Sequence, residues 1–206
     1  MKPASIIRTA LFGLAMLLIG ALLATNTGAL AYAAPVCATA TPTITPTLSN
    51  PLPTASADQG TQDSPVPLNT VVSLEITKSD VKYDFDISIS QIVMGPKAVA
   101  LAKRQYSPDP PDGATYLLAY VNGVYTSGPK DKAGKLSGAD FSALSNGQLI
   151  GLKFIIPPSP SLEFTGFPGA KFKGWIALQI DATDTTPLIA LGTAYDGSGG
   201  IYFATH

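Results

Sequence analysis

The sequence is poor in the residues on which most enzyme and metal chemistry depends. It has 206 residues but only one histidine, His206, and one cysteine, Cys37. A single thiol excludes an intramolecular disulfide, and zinc sites are built mainly from His and Cys side chains. Catalysis by Ser, His and Asp needs an imidazole held in place by packing, which a terminal residue does not supply. We therefore expect no catalytic residues and no cofactor.

Charged residues are also scarce. Lys and Arg number 13 and Asp and Glu 14, so the formal net charge is -1. Nucleic-acid binding draws most of its affinity from Lys and Arg that neutralise phosphates, so we expect no nucleic-acid partner. The apolar fraction of 46% is compatible with one packed domain of ordinary size.

The N-terminus has the order of a secretory signal: basic residues, an apolar run over 10–24, and then small residues. Ala31 and Ala33 fit the small-x-small rule, so we expect 1–33 to be removed after Ala33. The alternative is an uncleaved membrane anchor, although a spanning helix needs about 20 apolar residues. Export to the extracellular space follows from either reading, with membrane contact only through an uncleaved segment.

A stretch rich in Thr, Pro and Ser follows over 34–67. It has neither a helical nor a strand period, and it lacks the apolar residues needed to repay ordering. We expect a disordered linker that holds a folded domain, 68–206, away from its attachment point. Cys37 in this linker is either an unpaired thiol or the site of an intermolecular disulfide.

The period changes to two in the remainder of the chain. Residues 81–90, VKYDFDISIS, alternate apolar and polar, and a change of phase after them predicts a bulge. Residues 114–126 are apolar on both faces, as in a central strand. The pair Asn146-Gly147 between the apolar runs of 142–156 predicts a tight hairpin. Residues 96–105 fit either a short helix or an edge strand.

Further strands are predicted at 70–76, 171–181, 186–195 and 200–205. Seven or eight short strands with frequent turns and almost no helical period predict an all-β fold. The arrangement expected is a two-layer antiparallel β-sandwich of immunoglobulin-like type, with a barrel as the alternative.

The order of three segments, GATYLLAYVNGVYT, GADFSALSNGQ and FPGAKFKGWIALQI, resembles a family of bacterial secreted, telokin-like immunoglobulin-like domains of unknown function. The similarity covers 69–205, and its best motif is the turn at Pro168-Gly169 that leads to Gly174-Trp175. The resemblance implies a β-sandwich, export, and often an anchor and a disordered linker. It implies no catalytic residues.

The single tryptophan raises the question of a binding site. As a strand, 171–181 places Trp175 on the polar face with Lys173. Together with Tyr116 and Tyr120 of the neighbouring strand, these residues are our candidate binding site, because Trp and Tyr dominate contact surfaces. The alternative is that Trp175 belongs to the packing, covered by a loop or turned inward by a bulge at Gly174.

Carboxylates are the remaining candidates for chemistry. Asp109, Asp112, Asp181 and Asp184 lie in turns that could converge on a calcium ion, although no loop has the ordered calcium-binding series. We predict an exported, non-catalytic binding module with an unknown protein or glycan ligand. The alternatives are a carbohydrate-binding or calcium-dependent surface module and a purely structural envelope component.

Overall fold

The computed structural model describes residues 51–193 and 199–206, which form ten strands and one α-helix. Hydrogen-bonded strands are antiparallel throughout. The elements are β1 (Val72–Lys78), β2 (Val81–Met94), α1 (Pro96–Lys103), β3 (Ala114–Ser127), β4 (Gly134–Ser137), β5 (Phe141–Ser145), β6 (Gln148–Ile150), β7 (Glu163–Gly166), β8 (Lys171–Asp181), β9 (Leu188–Leu191) and β10 (Ile201–Phe203). The expectation of an all-β fold is confirmed for the described residues.

Two four-stranded sheets form the body of the described chain. Their strand orders are β1-β2-β3-β8 and β10-β9-β5-β6, while β4 and β7 form a separate pair. One hydrophobic core contains buried side chains from both sheets, which makes the architecture sandwich-like. Its members include Phe85, Ile87, Val121, Ile176 and Leu178 from the first sheet and Phe141, Ala143, Ile189, Leu191 and Phe203 from the second.

The alternation and the bulge predicted in β2 are both confirmed. Phe85, Ile87 and Ile89 point into the core and are almost fully buried. The pairing of β2 with β3 shifts register between Ile89 and Gln91, where one extra residue is accommodated. Because this shift reverses the faces, Ile92 and Met94 beyond it also pack against the core.

The predicted hairpin forms, but its second strand is shorter than expected. Asn146 and Gly147 both have positive φ, 47° and 74°, and their flanking residues pair directly, as in a type I′ turn. The apolar run was expected to continue as strand to Ile156, whereas β6 ends at Ile150. Ile156 instead donates its backbone N–H to Ser107 Oγ at 2.7 Å and accepts from that hydroxyl at 3.1 Å. Residues 151–157 therefore leave the sheet.

Residues 96–103 adopt the helical alternative. Pro96 lies in the first turn of α1, where its missing N–H is not needed, and Gly95 before it has a φ of 68°. Ala98 and Ala102 are completely buried against the outer face of the first sheet. The small alanine side chains let the helix lie close to the strands, so α1 covers part of this sheet.

The compact unit that contains the sheets begins before residue 68, where the sequence places the start of the folded domain. Residues 51–67 lie within the same compact unit as the sheets, and Val66 is completely buried. Its N–H donates to Tyr202 O at 2.8 Å, and its carbonyl accepts from Ala204 N at 2.9 Å. Backbone hydrogen bonds and one apolar anchor order this segment despite its polar composition. The expected signal at 1–33, Cys37 and the linker to residue 50 lie outside the described residues.

Candidate functional site

The candidate site lies on the outer face of the first sheet. Along β8, Phe172, Ile176 and Leu178 are buried in the core between the sheets. The alternate positions, among them Lys173 and Trp175, belong to the opposite face. The two faces predicted for this strand are confirmed. Each side chain's role on the outer face then depends on what covers it.

Trp175 is half-buried, and a chain segment runs beside its backbone along the edge of β8. The N–H of Trp175 donates to Pro160 O at 2.8 Å, and its carbonyl accepts from Leu162 N at 2.9 Å. A side chain at Gly174 would meet Leu162 N and Ser161 O at 2.6 Å each, so glycine permits this close approach. The backbone around Trp175 is thereby held on both sides.

A cavity of about 600 Å³ opens between Trp175 and the loop that follows β6. Trp175 and Ala177 form one wall, and residues 152–157 form the other. Ile155 packs inward with Trp175 against the cluster under α1. Leu152 and Phe154 on the same loop are 62% and 81% exposed, an unusual state for side chains of this size.

The two tyrosines predicted to flank Trp175 have different positions. Tyr120 lies opposite Trp175 in the strand pairing, and their ring centroids are 5.1 Å apart at 67°, an edge-to-face contact. Tyr116 is only 2% exposed beneath α1, and its hydroxyl donates to Pro108 O at 3.0 Å. Burial, followed by the nearby charge of Asp109, raises the pKa of Tyr116. Tyr116 is therefore covered by α1, and it is not presented to solvent beside Trp175.

Lys173 is exposed on the same outer face but lines a different depression. That depression, about 610 Å³, also contains Lys171, Asn122 and the exposed side chain of Leu52. Trp175 is not among its lining residues. Lys173 and Trp175 therefore do not face a common cavity, although they belong to the same strand.

The four aspartates predicted to bind a cation are not brought together. Asp109 forms an ion pair with Lys103 at 2.8 Å. Asp181 and Asp184 accept hydrogen bonds within their own turn and from the β5–β6 hairpin. Asp112 shares only a small cavity with Asp181. No group of three His, Cys, Asp or Glu side chains within 51–193 and 199–206 is arranged to hold a metal ion.

Hydrogen bonds lower the pKa values of Asp181 and Asp184. Hydrogen bonds from the side chain and backbone of Thr183 hold the pKa of Asp181 below its ordinary value. For Asp184, burial alone would raise the pKa, but hydrogen bonds from Ser145, Thr186 and Asn146 outweigh burial and lower it. Both carboxylates have a structural use as turn caps.

Comparisons with protein-family models, with curated proteins and with solved structures gave no match for this chain. In the described part of the chain, no helix combines the length and the apolar character needed to span a bilayer.

The exposed apolar loop was missed by reasoning from the sequence. Residues 148–156, QLIGLKFII, alternate well enough to indicate a strand, and the expected hairpin used them as one. Gly151 within the run and Pro157 and Pro158 after it were the signals of an interruption. Protruding apolar side chains beside a half-buried tryptophan are suited to contact with an apolar surface.

Proposed function

We propose that this protein is an exported, non-catalytic binding module that recognises its ligand at the surface around Trp175 and residues 151–157. Two four-stranded antiparallel sheets around one core support a sandwich architecture, while the immunoglobulin-like type and the telokin-like family rest on the sequence resemblance. The turn at Pro168-Gly169 and the strand after it, which carry that resemblance, lead directly into the candidate site.

One observation supports binding above all. Leu152 and Phe154 are largely exposed on a loop whose next residue, Ile155, is packed inward. Alternation of this kind keeps the loop backbone anchored while large apolar side chains stay in water. Soluble proteins rarely expose neighbouring apolar side chains of this size unless they mark a contact surface. The adjoining cavity of about 600 Å³ adds a concave part to this surface.

The apolar dye 1-anilinonaphthalene-8-sulfonate tests the surface without knowledge of the natural ligand. Trp175 is the only tryptophan, so energy transfer to bound dye has a single donor beside this surface, and comparison of the variants locates the bound dye. We expect transfer in the native protein and a large loss in the variant Leu152→Ser/Phe154→Ser. Phe167→Ser is the matched control, because Phe167 is also exposed but does not line the cavity. Equal transfer in all three proteins, or none in the native protein, contradicts the proposal.

Export is tested separately by N-terminal sequencing of the protein recovered outside the cell. Cleavage after Ala33 predicts a mature chain that begins at Ala34. A chain that retains Met1 and fractionates with membranes would replace cleavage by anchoring. Retention of the whole protein in the cytoplasm would contradict export.

Carbohydrate binding is a second candidate, favoured by the contact between Tyr120 and Trp175. Paired aromatic rings can stack on a sugar, and Asn122 lies on the same outer face as a polar partner. Titration with a soluble oligosaccharide such as chitohexaose should then shift the emission of Trp175, and Tyr120→Ala should abolish the shift. The calcium-dependent version loses support, because the four aspartates do not converge.

A further inference from the structure

We propose that the ligand of this surface is an anionic lipid bilayer, into whose interface the protein inserts an apolar tip formed by Tyr106, Leu152, Phe154 and Ile156. The inference rests on the proposed function, because it names the partner of the same surface. It does not involve the N-terminal apolar run, and it assigns membrane contact to the folded domain itself.

Two separate loops form the tip. Tyr106 follows α1 and is 93% exposed, with a positive φ of 64° that turns the chain there. The next residue, Ser107, is buried, and its hydroxyl makes two hydrogen bonds to the backbone of Ile156. This contact fixes the two loops against each other. Leu152, Phe154 and Ile156 also line the cavity beside Trp175 together with Gln105, the neighbour of Tyr106, so the two loops present adjoining parts of one surface.

The form of the surface favours a bilayer over a protein groove. Phe154 and Tyr106 protrude into solvent with most of their ring surface, and they are not seated in a preformed hollow. A fluid interface adapts to protruding side chains, whereas a protein partner would need a matching pocket for each. Proteins that bind at a membrane interface make the contact with aromatic and aliphatic side chains, as in this tip. Their tyrosine and tryptophan rings lie at the level of the lipid headgroups.

The charges beside the tip are complementary to anionic headgroups. Lys153 lies between two tip residues, and Arg104 comes just before the other loop; both are exposed. Neither forms an ion pair with any described residue, whereas the nearby Lys103 is neutralised by Asp109. Glu163, which lines the cavity, is the opposing charge. Two unpaired cations flanking exposed apolar side chains are the combination that attracts a peripheral protein to acidic lipids.

Brominated lipids provide the test, since they quench tryptophan only at close range. The full chain is mixed with vesicles of phosphatidylcholine, either pure or with about a quarter phosphatidylglycerol, both containing brominated acyl chains. Trp175 lines the same cavity as Leu152 and Phe154, so its quenching reports approach of this surface to the bilayer, and the Leu152→Ser/Phe154→Ser variant separates that contact from tethering by an inserted N-terminal segment. Amide hydrogen exchange at 104–107 and 151–157 gives a second readout of the same contact.

We expect quenching and exchange protection with the acidic vesicles, weakened by high salt. The variant Leu152→Ser/Phe154→Ser should lose at least about tenfold in vesicle affinity, and Lys153→Gln and Arg104→Gln about fivefold each. Phe167→Ser should bind as the native protein does. All changed positions are exposed, and an unchanged melting temperature verifies that each variant is folded.

Different results separate this inference from the proposed function. If the dye binds near Trp175 but neither kind of vesicle quenches its emission, the bilayer is not the ligand, and the proposed binding surface still stands. If neither dye binding nor quenching by vesicles is observed, the bilayer proposal and the proposed binding function are both contradicted. Quenching that is equal with neutral vesicles and indifferent to Lys153→Gln overturns the role of anionic lipid. A dimer in sedimentation that dissociates in the Leu152→Ser/Phe154→Ser variant would assign the tip to a second copy of the chain instead.

Discussion

The hydroxyl of Ser145 donates a hydrogen bond of 2.7 Å to Asp184 Oδ2 and thereby joins the β5–β6 hairpin to the turn after β8. The same oxygen accepts from Asn146 N at 2.9 Å, and Oδ1 accepts from Thr186 N at 2.9 Å. Ser145 is itself buried and also accepts from Asp181 N. One carboxylate thus holds together two connections that are distant in sequence.

Removal of this carboxylate charge should destabilise the fold. Asp184→Asn keeps the shape but weakens hydrogen bonds that are made to a charged acceptor, and we expect a loss of about 1–2 kcal/mol in the free energy of unfolding. Because the folded pKa of Asp184 is lowered, its contribution is present above the unfolded pKa of about 3.9 and is lost as pH falls through the folded value.

Urea unfolding at neutral and acidic pH measures both effects. The native protein should lose stability below about pH 4 more steeply than Asp184→Asn does. Asp131→Asn, at an exposed carboxylate with no hydrogen bond or ion pair to a described residue, is the control and should behave as the native protein. If the unfolding free energies of the native protein and Asp184→Asn fall equally as the pH is lowered, the carboxylate of Asp184 does not stabilise the fold as proposed.

Two buried tyrosines should respond in opposite directions to the loss of a hydroxyl. Tyr125 is fully buried in the core, stacked on Phe85 at 5.0 Å, and its hydroxyl has no hydrogen-bond partner among the described residues. Tyr125→Phe removes a desolvated polar group and should stabilise the protein by about 1 kcal/mol. Tyr116→Phe removes a bond to Pro108 O and should destabilise it by a similar amount.

Thermal unfolding of the two variants side by side makes this comparison. Both substitutions delete the same atom from a buried ring, so each is the other's control for volume and burial. Equal destabilisation in both would mean that the hydroxyl of Tyr125 is satisfied in solution and would contradict the assignment.

The sequence pattern predicted the faces of the strands but not what covers them. Alternation in β2 and β8 follows from local chain geometry, so the sequence predicts directly that Trp175 and Ile176 lie on opposite faces of the sheet. Tyr116 also followed the outer-face period, yet Ala98 and Ile155 from distant segments cover that face. Which segments pack over a sheet face depends on contacts between residues distant in sequence. The alternation of apolar and polar residues along one strand gives no information about those contacts. The only indication in the sequence that this outer face is covered was that residues 114–121 are apolar on both faces.

The order of residues 51–67 was hidden for the same reason. A composition rich in Pro, Thr and Ser predicts disorder, but the buried side chain of Val66 and backbone hydrogen bonds to Val71, Tyr202 and Ala204 hold the segment against the sheets. Val66→Ala removes two completely buried methyl groups and should cost about 2 kcal/mol of unfolding free energy. Asp63→Ala, at an exposed position nearby, should change it little. Equal stability of the two variants would return this segment to the linker.

Gly174 should be essential for the surface at Trp175. A methyl group at this position would lie 2.6 Å from the backbone of the segment that covers the edge of β8, and backbone atoms cannot move aside cheaply. Gly174→Ala should therefore lower stability by about 1–3 kcal/mol and shift the emission of Trp175 to the red, because the covering segment is displaced. Gly151→Ala is the matched control, since a Cβ there meets nothing within 4 Å. If Gly174→Ala keeps both native stability and native emission, the covering segment is not held against Trp175 in solution, and the cavity loses the part of its lining that Ser161 and Leu162 supply.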